Sequence, residues 1–95
     1  MKQTNEHLTV AEIFQRIAKV REEENLSIYS QHIREERENK DKDIFRYIVC
    51  LYLSPYDYTD TTFLKLKAEL GAVDYIINLS AGLPESVDFI IEEAL

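Results

Sequence analysis

One cysteine, two glycines, two prolines and no tryptophan occur in 95 residues, and each scarcity excludes something. A lone cysteine, Cys50, cannot close an internal disulfide, and neither Cys-x-x-Cys nor a His/Cys metal spacing is present. Gly71 and Gly82 stand too far apart to build a phosphate-cradling loop, so nucleotide chemistry is not expected. No apolar run reaches the length of a membrane span, and Met1 to His7 lead into an amphipathic segment without a hydrophobic signal region. The expectation is a cytoplasmic protein with no membrane partner.

Positive charge is scarce in one half only. Residues 1–42 hold eight Lys/Arg and nine Asp/Glu, net −1, whereas residues 43–95 hold three and nine, net −6, together the chain's −7. An acidic half repels phosphate backbones and attracts basic partners. Apolar residues make up 45% of the chain, enough for one modest core, so residues 1–95 are expected to form a single domain, with 1–7 as a flexible tail.

The few breakers and the three-and-four spacing of apolar residues predict an all-α protein, a bundle of five or six short helices without internal repeat. The first helix follows a capping box, Thr9-Val-Ala-Glu12, flanked by Leu8 and Ile13 as a hydrophobic staple. Ile13, Phe14, Ile17 and Val20 form its stripe, and Asn25 suits a left-handed stop. Ser27 then caps a second helix carrying Ile28, Tyr29 and Ile33. Opposite charges four apart, Arg34/Glu38, Glu36/Lys40, Arg37/Asp41 and Glu38/Lys42, make residues 34–42 either a solvated extension of that helix, to about Asn39, or a frayed linker.

Ile44, Phe45, Ile48, Leu51 and Tyr52 trace a third, central helix that ends at Ser54-Pro55 and buries Tyr52. The β-branched and aromatic residues 47–53 also suit a strand, but no second strand-like run is evident to pair with them. Thr59 or Asp60 caps a helix with Phe63, Leu64, Leu66 and Leu70 inward and Gly71 at its end. A short helix with Val73, Ile76 and Ile77 stops at Gly82. Pro84 opens the last, which buries Val87, Ile90, Ile91 and Leu95.

No constellation for catalysis emerges, and an enzyme is not expected. Cys50 has only His7 and His32 as bases and is read as a core thiol. His32 with Glu35 and Glu36 lacks the second histidine-bearing helix that a bundle metal site requires. Glu92 and Glu93 are an acidic pair of no specificity among eighteen carboxylates. Catalytic, cofactor and metal residues are therefore expected to be absent.

Two stretches carry a family pattern. Ile13-Phe-Gln-Arg-Ile-Ala-Lys-Val-Arg-Glu-Glu-Glu-Asn-Leu-Ser27 and Leu64-Lys-Leu-Lys-Ala-Glu-Leu-Gly-Ala-Val-Asp-Tyr-Ile76 resemble the early and later helices of the Cro/repressor-type helix-turn-helix family, over residues 12–33 and 60–80. The resemblance implies a related helical fold. Where that family has its recognition helix, this chain has the charged run Arg34 to Lys42 and then the apolar residues 44–53, which offer nothing to base edges.

The residues best suited to recognition are Tyr56, Asp57, Tyr58 and Asp60 on the Pro55 loop, with Asp74, Glu85 and Asp88 as neighbours. Carboxylates steer encounter with a basic protein partner and tyrosines supply rigid contact area. The plainer alternative is that the tyrosines cover the bundle end while the aspartates cap and solubilise. The expected function is a regulator or inhibitor of a basic or nucleic-acid-binding partner, of the phage inhibitor or anti-repressor type. One alternative is a divergent helix-turn-helix transcription regulator, a homodimer touching DNA through Arg16, Lys19, Arg21, Arg34, Arg37, Lys40 and Lys42. Another is an immunity or antitoxin protein.

Overall fold

The computed structural model describes residues 8–94, so the expectations for the tail 1–7, His7 and Leu95 lie outside the described residues. The chain runs α1 (Val10–Glu24), β1 (Ile28–Asn39), β2 (Ile44–Leu53), a 3-10 turn (Pro55–Asp57), α2 (Asp60–Leu70), β3 (Asp74–Ser80) and β4 (Leu83–Ala94). The strands form one antiparallel sheet in the order β1-β2-β4-β3. The fold is therefore α+β, and the expected all-α bundle is incorrect.

The two helices obey their local signals. Thr9 Oγ1 accepts the Glu12 N–H at 3.1 Å while Glu12 reaches back to the Thr9 N–H, and Asn25 closes α1 at φ 54°. Thr59 caps α2 and Gly71 ends it at φ 67°. Leu8 and Ile13, the staple pair, are both buried.

The four segments expected as further helices are strands, for a physical reason visible in β2. Phe45, Tyr47, Val49, Leu51 and Leu53 face the helices, but on the other face Ile44, Ile48, Cys50 and Tyr52 are mostly apolar too, with Arg46 its one charge. With both faces largely apolar the period-2 contrast is weak, and a helical stripe can be drawn through the same residues. In β1 the alternating charges imitate helical i,i+4 pairs, yet Glu36 and Arg37 lie opposite Tyr47 and Arg46 of β2. Pro84 stands near the start of β4, where its missing N–H does little harm, and not at a helix start.

Helix then hairpin occurs twice, as α1-β1-β2 and α2-β3-β4, and the hairpins meet through β2 and β4. No sequence repeat announces this. Positive φ at Ala81 (52°) and Gly82 (80°) gives the β3–β4 turn the twist of a two-residue hairpin.

Both helices lie on one face of the sheet. Ile13, Ile17 and Val20 of α1 and Phe63, Leu66 and Leu70 of α2 pack on Val49, Leu51, Val87, Phe89 and Ile91. Arg34 and Lys42 lie outside any helix, Leu64 is exposed, and Tyr52 is half-buried on the face away from the helices, stacked on His32.

Two tyrosines seal the core with hydroxyls bonded to backbone. Tyr47 donates to Leu8 C=O at 2.7 Å, and Tyr58 donates to Glu85 C=O at 2.8 Å and accepts the Leu53 N–H at 3.3 Å. Burial, aided for Tyr47 by Glu36, Glu93 and Glu12 and for Tyr58 by Cys50, Glu85 and Tyr52, raises both phenols above 10.0. The neutral form is favoured in the fold, so its stability contribution is complete below the unfolded tyrosine pKa of about 10. It is lost as pH rises through the higher folded value. Alkaline titration followed by circular dichroism should show unfolding beginning above pH ~10, and Tyr47→Phe should make that loss shallower.

Candidate functional site

The loop after β2 gathers most of the sequence-predicted residues. Ser54 Oγ accepts the Tyr56 N–H and opens the 3-10 turn, which Pro55 favours, leaving the Tyr56 side chain 90% exposed. Asp57 has a structural role: its Oδ2 accepts the Ser27 N–H at 2.8 Å and, with Ser54 N–H on Ser27 C=O, ties the loop to the start of β1. Tyr58 packs edge-on against Phe63, which meets Tyr75, which meets Phe89, so it closes the core.

Asp60 is exposed in the first turn of α2, where the helix dipole favours its charge. Glu85 is brought to this end by the Tyr58 hydrogen bond to its backbone, and its side chain is exposed. Tyr56, Asp60 and Glu85 therefore remain available to a partner, while Asp57 and Tyr58 hold the loop.

Asp74 and Asp88 do not join them. Asp74 stands at the start of β3 opposite Ile90, five residues along β4 from Glu85, roughly 17 Å at strand rise, and its Oδ1 accepts its neighbour's N–H, that of Tyr75. Asp88 faces the open side of the sheet in a row with His32, Cys50 and Ile76.

The sequence reading missed that row. Asp88 is only 5% exposed; Arg34 reaches across from β1 to ion-pair with its Oδ2, while Oδ1 is buried without a hydrogen-bond partner. The Cys50 thiol lies close enough to interact with Asp88 and Ser86 without giving Oδ1 a well-formed bond. Burial first, then Asp88, pushes that thiol up from its ordinary value, so it stays protonated and unreactive at neutral pH. The alternation Ser86-Val-Asp88, polar on one face and apolar on the other, was the available signal.

Further along the open face, Glu35, Arg37, Asn39, Ile44 and Arg46 line a shallow cleft of about 170 Å³. Arg46 is held by Glu92 at 2.7 Å, which relieves its position opposite Arg37. No group of three His, Cys, Asp or Glu able to hold a metal occurs among the described residues, and no described helix is long and apolar enough to cross a membrane.

No family model, curated protein or solved structure matches the chain.

Proposed function

We propose that the protein acts by protein–protein binding, as a small regulator or inhibitor of a basic or nucleic-acid-binding partner. The observation that carries this is Tyr56, 90% exposed on a loop anchored at Ser27 and at Glu85, beside carboxylates with no ion-pair partner among the described residues. An aromatic ring held in water on a fixed loop is ready to bury without a large ordering cost, and Asp60 and Glu85 supply steering charge.

The test is binding to a basic protein recovered by affinity capture, measured against three variants. Tyr56→Ala should weaken it tenfold or more. Asp60→Lys and Glu85→Lys should chiefly slow association and reduce its salt dependence. Wild-type affinity in all three, with unchanged circular dichroism, would remove this end of the molecule as the site. A salt-sensitive shift of duplex DNA by the protein alone would favour direct DNA binding instead.

A further inference from the structure

The sheet has two free edges, and they are built differently. β1 carries Arg34, Glu35, Glu36, Arg37 and Glu38 and a register break between Ile33 and Glu35, the charged and irregular finish that keeps an edge from pairing. From Val73 to Leu83, the stretch containing β3, Asp74 is the sole charged residue and proline is absent. Five of the eight exposed large hydrophobic residues among the described residues fall there: Val73, Ile76, Ile77, Leu79 and Leu83.

The backbone of that edge specifies what would cover it. The Tyr75 N–H turns away from β4, since it bonds to Asp74 Oδ1. β3 pairs regularly with β4 from Asp74 to Asn78, so alternation turns the N–H and C=O of Ile77 outward as well. Outward backbone donors and acceptors on an apolar edge are met by another strand.

We propose that this strand is β3 of a second copy, paired antiparallel about a two-fold axis at Ile77, joining two sheets into one of eight strands. In that register Ile77 bonds reciprocally to the partner's Ile77, and Tyr75 faces the partner's Leu79 on the helix side. Asp74 falls opposite Ser80, so the edge's one charge meets a hydroxyl and not its own copy. The contact is isologous and closes at two chains.

The helix layer fits the same axis. Lys65 and Glu69 of α2 face α1, through ion pairs to Glu24 and Lys19. At 100° per residue the flank directly away from α1 carries Lys67, and Leu64, 57% exposed, lies about 60° round from it toward solvent. α2 sits over β3, with Phe63 and Tyr75 rings 5.2 Å apart. Joining the two sheets through β3 would bring the two copies of α2 side by side, so the helix layer as well as the sheet would meet at the axis.

This inference is independent of the binding end at Tyr56, and salt separates the two. Each chain carries −7, so screening should strengthen self-association while weakening capture of a basic partner. Sedimentation from about 1 to about 300 µM should show twice the single-chain mass at the upper end, a range set by a micromolar constant.

Ile77→Lys, which puts two ammonium groups at the axis, should weaken the dimer at least tenfold with the circular dichroism spectrum retained. Should that variant fail to fold, amide exchange on the wild type decides: the Ile77 N–H should become protected as concentration rises. A monomer throughout, a dimer indifferent to Ile77→Lys, an Ile77 amide equally fast at all concentrations, or pairing of β3 only with another protein's strand would each overturn the proposal.

Discussion

Phe89→Ala is expected to lower the unfolding free energy by about 3–5 kcal/mol, the range for truncating a fully enclosed aromatic residue. Phe89 has no exposed surface and lies at the centre of β4 between Val49 of β2 and Tyr75 of β3, with its ring 5.9 Å from that of Tyr75. The cavity would open beneath both helices, because Tyr75 in turn supports Phe63 of α2. For a domain of this size such a loss corresponds to a fall of roughly 15–25 °C in Tm, readable by calorimetry. Tyr52→Ala makes the comparison. Its side chain lies half-buried on the open face against His32, so about 1 kcal/mol is expected, and equal losses for the two would mean the face assignment of β2 is wrong.

The second large effect is an asymmetry across the Arg34–Asp88 pair. Arg34→Ala would strand a carboxylate that is 5% exposed and already has one unbonded oxygen, whereas Asp88→Asn would leave Arg34, half in water, to be solvated. Removing one member of a buried pair costs about 3–5 kcal/mol, a figure reduced here to about 2 kcal/mol because Arg34 lies partly in solvent. Asp88→Asn should cost under about 1 kcal/mol. The double variant should recover most of the loss of Arg34→Ala in urea unfolding. If Asp88→Asn proves the more damaging, the ion pair is not what holds β1 to β4 across β2.

The pair also shows why grouping acidic residues by their order along the chain misleads. Asp88 belongs with Glu85 by proximity in the chain, yet a strand turns every second residue to the opposite face, and Asp88 goes to the open side beside Cys50. Asp57 and Tyr58, expected as contact residues, spend their polar atoms on Ser27, Leu53 and Glu85. Tyr56 and Asp60 from the same loop remain outward, so the expected contact surface and the plainer capping role divide the loop between them.

What the sequence determined by itself is local. The capping box at Thr9, the left-handed stops at Asn25 and Gly71, the Thr59 cap and the break at Pro55 are satisfied by atoms within a few residues, so their geometry follows from order along the chain. The sheet is different in kind. Each strand's backbone is satisfied only by another strand, and β2 meets β4 across more than thirty intervening residues. A charged β1 and a β2 largely apolar on both faces carry little period-2 mark of that partnership. Only tertiary structure decided which face of β2 is core, that Asp88 meets Arg34, and that β3 is left at an edge with Ile77 facing water. Backbone hydrogen bonds and side-chain burial settled these together, and neither is a property of any single segment.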